Sequence, residues 1–284
     1  MTEPAGASMD QESTGTDDEG VAPTEDELRD VCGVMLRSWA DAYSGVGSIE
    51  LGLEDQTPDA VRFTIVFAFA SHAHHVTTAA ADLMAAGEYM SAIPLLRVGY
   101  ESALTAAWAA HSEDAARALQ NEYIDTAKKL HGSASRTGWF DDELTAPEEA
   151  PVEVAPTARG EAGSFFNMCN ALEPHSQWLY TMYRLLSAYS HPSGTVLRAY
   201  APGEVGDAVS LTPEPMNDTR SWWHAASMNL LHAGQALDRL DRASRRRDVL
   251  SEAGELIGSP DALKLTSAAV AKVREHRLQR EASE

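Results

Sequence analysis

The sequence is short of cysteine, of lysine and of long apolar runs. Cys32 and Cys169 are the only cysteines in 284 residues. They stand far apart and outside any Cys-x-x-Cys or metal-ligand spacing, which excludes a disulfide scaffold and points to a reducing compartment. The longest apolar stretch, residues 65–70, is far too short to span a bilayer and runs into His72, His74 and His75. The N-terminus has no basic-then-apolar layout of a secretory signal, so a cytoplasmic protein with no membrane partner is expected. Positive charge is scarce: 22 Lys and Arg stand against 43 Asp and Glu, a formal net charge of -21. Such a chain repels nucleic-acid phosphates unless a local patch overrides the field. The sequence also lacks a phosphate-binding Gly-Lys loop, a dinucleotide fingerprint, a nucleophile elbow and a His-Glu-x-x-His helix, so the usual nucleotide, hydrolase and zinc-protease readings lose their support. No cofactor is implied.

The acidity is unevenly placed. Residues 1–27 hold nine acids and no base, and residues 138–164 hold seven acids and one Arg. Residues 1–23 carry almost no large apolar side chain and are expected to form a disordered acidic arm, because they cannot bury enough surface to offset their ordering entropy. Residues 138–160, with Pro147, Pro151 and Pro156 among acids, are expected to be a loop.

Between these segments the pattern is helical. Thr24 and Glu27 have capping-box spacing ahead of Val31, Val34, Met35 and Trp39. Thr57-Pro58 reads as a second helix start, running to Ala86 with Gly87 as its stop. Further helices are expected over 88–111, with Pro94 in the first turns, from Ser112 to about Gly132, over 164–172 and over 174–190. The residues 195–200 and 208–211, around Pro202-Gly203, read as short strands of a small β-hairpin within 195–212. A long helix over 217–246 and two shorter ones over 248–257 and 260–280 complete the chain. The expected fold is all-α, an antiparallel helical bundle forming one domain over 24–284.

Three groups of residues are candidates for chemistry. In a helical hairpin turning at Gly87, residue 77 lies opposite 97 and residue 73 opposite 101, so His72, His74 or His75 approaches Arg97 and Glu101. Arg97 and Glu101, four apart, share a helix face. The three histidines invite a metal, but no Glu-x-x-His pair accompanies them, so no metal is assigned. Arg239, Arg242, Arg245, Arg246 and Arg247 read as a positive helix end favoured by the dipole, and Trp222-Trp223 as a core anchor.

The third group lies in residues 183–192. Tyr180, Arg184, Ser187 and His191 form a polar stripe on one face of a helix, with Arg184 and His191 two turns apart. The Arg184, six residues, His191 arrangement resembles the Arg-x(4–6)-His pattern of HEPN-type helical proteins, many of them dimeric, metal-independent ribonucleases of toxin–antitoxin and phage-defence systems. That resemblance implies His191 as general acid/base, Arg184 as the group that stabilises phosphate charge, RNA as substrate and a homodimer. The pairing of Pro94-Leu-Leu-Arg97-x-x-x-Glu101 with Tyr183-x-x-x-Ser187-x-x-x-His191-Pro192-Ser193 is similar to a group of uncharacterised bacterial helical proteins. This second resemblance implies that Arg97, Glu101, Tyr183, Ser187 and His191 form one polar cluster, and it implies no activity. Two readings follow. One is a non-enzymatic scaffold or binding protein whose cluster, with His75 beside it, holds helices in register or takes a small-molecule or protein partner. The other is the ribonuclease.

Overall fold

A computed structural model of the chain describes residues 22–47, 49–50, 59–111, 113–137, 150–174, 176–205, 208–212 and 218–282. The fold is all-α. Helix α1 (Glu25–Tyr43) opens with the complete Thr24/Glu27 capping box. Helix α2 (Ala60–Ala85) is capped by Asp59, whose side chain accepts from the Arg62 backbone N–H. The expected Thr57-Pro58 start lies outside the described residues. Gly87, at φ 86°, ends α2. Glu88 N bonds back to the Leu83 carbonyl and Gly87 N to that of Met84, a pairing that needs a left-handed residue at the turn.

Helix α3 (Tyr89–Ala109) follows and is continuous through Pro94. Next come α4 (Glu113–Thr137), α5 (Pro156–Ala162), α6 (Phe165–Ala171), α7 (Ser176–Ser190), α8 (Gly194–Tyr200), α9 (Thr219–Asp238), α10 (Arg247–Leu256) and α11 (Ser267–Glu281). Among the described residues two small antiparallel ladders accompany them. Strand β1 (Leu172–Glu173) pairs with β4 (Lys264–Leu265), and β2 (Gly203–Val205) pairs with β3 (Ala208–Ser210).

α2, α3 and α9 pack on one another, α1 lies against α9, and α7 lies against α3. Ala70, Ala73, Ala80, Ala92, Ala103, Ala106, Ala226 and Ala233 are all fully buried in this centre. Small side chains there let the helices approach closely. The tightest point is Gly99 on α3. A Cβ at that position would stand 2.7 Å from Thr77 Oγ1 and 2.8 Å from Asn229 Nδ2, so only glycine lets α3 touch α2 and α9 together. Asn229 uses that approach to donate to the Leu96 carbonyl at 2.9 Å. Trp108, Tyr100, Leu28, Met35, Ile93 and Leu104 fill the wider gaps and are almost wholly buried.

Several expectations are corrected. Residues 195–200 are helical, not strand. Ser193 caps α8, accepting from Val196 N, and this local cap overrides the β preference of Thr195, Val196 and Tyr200. The hairpin itself is present, but confined to 203–210. The loop expected over 138–160 gives way to α5 at Pro156, which occupies the first helical position, where its missing N–H costs nothing. Residues 138–149, like residues 1–21 of the expected arm and Ser112, lie outside the described residues. α4 continues past Gly132 to Thr137. α9 stops at Asp238 rather than Arg246, because turns over 239–246 follow, with Ser244 at φ 45°. The last helix begins at Ser267, after β4, not at residue 260.

Candidate functional site

The site is built from α3, α7 and the turn after α7. Arg97 and Glu101 sit one turn apart on α3. Tyr100, between them in sequence but on the buried face, donates its hydroxyl to the Leu179 carbonyl at 2.9 Å and so fixes α7 against α3. That contact brings Tyr183 and Ser187, both on α7, over the polar face of α3. Tyr183 is held from the far side by Phe165 of α6, with ring centroids 4.6 Å apart, and by Tyr180 at 5.7 Å. His191 follows the last residue of α7. Its turn is clamped because Ser193 Oγ donates to the Ala188 carbonyl at 2.6 Å while Ser193 also caps α8.

Arg97 is the centre. Its Nη1 lies 2.7 Å from His191 Nε2, and its Nη2 donates to Glu101 Oε1 at 2.9 Å and to the Tyr183 hydroxyl at 3.3 Å. The guanidinium carbon is also 5.3 Å from the centre of the Tyr183 ring. Burial alone would lower the Arg97 pKa. The hydrogen bond with Tyr183 and the charge of Glu101 outweigh it and hold the pKa above its ordinary value. The Arg97 and Glu101 side chains are 21% and 34% exposed, so the ion pair itself is worth only tenths of a kcal/mol, roughly. Its larger effect is to orient the guanidinium.

The direction of the Arg97–His191 bond matters. A guanidinium can only donate, so Nε2 of His191 accepts and the imidazole proton sits on Nδ1. Tyr183 likewise accepts from Arg97 and keeps its own O–H to give. Arg97 Nε and Ser187 Oγ are buried and have no hydrogen-bond partner among the described residues. The cluster therefore holds two buried donors without an acceptor among the described residues, Arg97 Nε–H and Ser187 O–H, and its bonds to Arg97 leave the Tyr183 O–H and the His191 Nδ1–H uncommitted. From residue 174 to 203 the sequence contains no carboxylate, so nothing on α7 or α8 competes for them.

Of the residues named from sequence, Arg97, Glu101, Tyr183 and His191 meet by direct contact, and Ser187 lies one turn from Tyr183 on α7. Arg184 is exposed on α7, and no hydrogen bond joins it to His191. His75 and His72 are exposed and stand apart from the cluster. Gly99 of α3, rather than the polar face, is what meets α2 beside Thr77, so the histidine stretch does not face Arg97. Among the described residues no group of three His, Cys, Asp or Glu comes together that could hold a metal ion.

His74 instead belongs to a second, buried centre that sequence reasoning missed. Its Nδ1 donates to the Ala70 carbonyl at 2.8 Å, leaving Nε2 to accept from Arg246 Nη1 at 3.2 Å. Arg246 is 1% exposed and also donates to the Met35 carbonyl at 2.8 Å and to Ser38 Oγ at 2.9 Å. Trp39 stacks on His74 at 3.8 Å. This hub ties α1 and α2 to the turn before α10. The expected basic helix end is thus taken apart: Arg246 is buried, Arg245 pairs with Asp241 at 2.8 Å and Arg247 lies 3.7 Å from Asp238. Trp222 and Trp223 are buried at the start of α9. Among the described residues no helix is long and apolar enough to cross a membrane.

Comparison with protein-family models, with curated proteins and with solved structures finds no match to the chain.

Proposed function

We propose that the protein is a helical binding protein whose Arg97 cluster captures a ligand rich in hydrogen-bond acceptors, such as a phosphate or carboxylate group. The observation that carries this reading is the hydrogen-bond direction within the cluster. Arg97 occupies the basic lone pair of His191, so the imidazole presents a donor. Arg97, Tyr183 and Ser187 add donors of their own, two of them buried and unmet. A buried donor without an acceptor costs about 1–3 kcal/mol, which an incoming oxyanion recovers. Glu101 spends its charge on Arg97 and faces water, so it opposes an anion weakly.

The test is calorimetric titration of inorganic phosphate, a simple phosphate monoester and acetate into the wild type, Arg97→Met and His191→Ala. At least one probe should bind the wild type, and each substitution should weaken that binding roughly tenfold or more, the loss of one charge-assisted hydrogen bond. Absence of binding by all three probes to folded wild type would sink the reading.

A second reading, metal-independent ribonuclease, has one observation in its favour. Arg184 on α7 and His191 just past its end are both exposed, seven residues apart. In that reading the cation beside the phosphate is Arg97, which touches His191, and Arg184 binds the flanking backbone. RNA cleavage that persists in EDTA and disappears in His191→Ala would establish it in place of the binding protein.

A further inference from the structure

A cleft of about 340 Å³ lies between α5, α6 and the start of α11, and none of its lining residues belongs to the Arg97 cluster. Its volume falls at the lower end of the range for small-molecule sites. Its polar walls are Thr157 and Glu161 from α5, Asn167 and Asn170 from α6, and Thr266 and Lys272 at the other side. Glu161 is held rigidly. Its Oε2 accepts from the indole N–H of Trp108, a residue of the α3 core that is 1% exposed, at 3.0 Å. That bond leaves Oε1 uncommitted on a residue that lines the cleft.

The charges on the two walls are opposite but not joined. Burial pushes the Glu161 carboxyl above its ordinary pKa. The Trp108 hydrogen bond and the Lys272 ammonium pull against it without prevailing. Lys272 is exposed and makes no direct ion pair with Glu161. A half-buried carboxylate with one neutral hydrogen bond and a distant cation is under-compensated, and a ligand cation would relieve it. Asn170 is exposed, and Asn167 makes only a long bond, 3.4 Å, to the Gly160 carbonyl, so both amides can turn toward a guest.

We infer that this cleft binds a small zwitterion of the free amino-acid type, with its ammonium on Glu161, its carboxylate on Lys272 and a short polar side chain between Asn167 and Asn170. The opposite and unjoined charges on the two walls support this class. An amine alone would leave Lys272 unused, and an anion alone would face Glu161. A free amino acid carries both charges on one carbon and so offers a partner to each wall of the cleft. Thr266 is engaged as the cap of α11, accepting from Ala269 N at 3.2 Å, so it lines the site without competing for the ligand.

The test uses the full chain and the common free amino acids as probes, each beside its N-acetyl and carboxamide derivatives. Binding is read by calorimetry and by tryptophan fluorescence, since the Trp108 indole touches the receiving carboxylate. At least one amino acid with a small polar side chain should bind, and its N-acetyl form should not. Glu161→Gln should weaken binding roughly tenfold or more. Lys272→Met should weaken the amino acid similarly while leaving its carboxamide unchanged. Lys272 is exposed, so that variant keeps the test alive if Glu161→Gln fails to fold. The inference is overturned if no amino acid binds at about 10 mM, a limit far weaker than ordinary ligand affinity. It is overturned equally if the N-acetyl form binds as well as the parent, or if both variants bind like wild type.

Discussion

Lowering the pH from about 7.5 to about 5 should cost this bundle about 4 kcal/mol of stability, through two buried imidazoles. Burial, and then the nearby Arg246 charge, push the His74 pKa down from 6.5 to about 3, against the opposing hydrogen bond to Ala70; His75 adds a smaller repulsion. Burial likewise takes His111 from 6.5 to about 4, although its Nε2 donates to the Leu263 carbonyl at 2.6 Å. The sign follows from proton counting. Above the unfolded value of 6.5 both states are neutral and the full stability is present. Below it the unfolded chain takes up protons that the native state refuses, and stability falls until the pH reaches the folded values. At about pH 5 each histidine has traversed roughly 1.5 units of that window, or about 2 kcal/mol. Asp238 and Glu161, both raised chiefly by burial, work in the opposite direction, but from starting values of 3.8 and 4.5, so their effect grows only toward the acid end. For a protein with typical stability of about 5–15 kcal/mol the loss is a large share. Urea denaturation followed by circular dichroism at the two pH values measures it. His74→Gln and His111→Gln should each remove about half of the difference. A wild type that loses less than about 1 kcal/mol, or a double variant as acid-sensitive as wild type, would refute the reasoning.

Arg246→Met should destabilise the protein by about 3–5 kcal/mol in the same assay, because the Met35 carbonyl, Ser38 and His74 lose a shared buried donor. A loss under about 1 kcal/mol would mean that desolvating the guanidinium cancels its bonds. Gly99→Ala should cost about 1–3 kcal/mol from the clash with Thr77 and Asn229, net of a gain of about 1 kcal/mol in helix propensity. Unchanged stability would show that α3 can shift away from both neighbours. Tyr100→Phe should cost about 1 kcal/mol and, by freeing α7 from α3, should also weaken phosphate or acetate binding at Arg97. A variant with normal ligand binding would show that α7 is held in place by packing alone.

What the sequence made legible was local. The Thr24/Glu27 box and the Gly87 stop are decided within one turn of chain, and each is found in the structure. The apolar periodicity that argued for an all-α bundle is equally local. The misreadings came where a local preference met a stronger constraint. Thr195, Val196 and Tyr200 favour strand, but Ser193 is free to cap because Pro192 has just ended α7. Residues 239–246 favour helix, but Asp238 Oδ1 accepts from the Arg246 backbone N–H at 3.3 Å and the chain turns back on itself.

The two polar centres show the same division at longer range. Arg97 and Glu101 are visible as an i, i+4 pair, and Tyr183, Ser187 and His191 as a stripe. That the pair and the stripe lie together depends on Tyr100 reaching Leu179, a contact on the faces where neither pattern is seen. The histidine stretch is the reverse case. His74 and His75 are adjacent in sequence but about 100° apart around α2, so one enters the core and the other faces water. Which of them goes inward is decided by Trp39 on α1 and Arg246 before α10, the latter 172 residues away. Periodicity assigns a charged residue to the surface, and an arginine in a basic run is the last residue it would place inside. Arg246 is inside because three acceptors from two other helices converge there. The same reasoning separates the roles of the two arginines. Arg246 has its donors met by the protein and acts as a tie between helices. Among the described residues Arg97 keeps a buried N–H unmet, as Ser187 does its hydroxyl, and that surplus is why we propose the α3–α7 cluster, rather than the hub, as the ligand site.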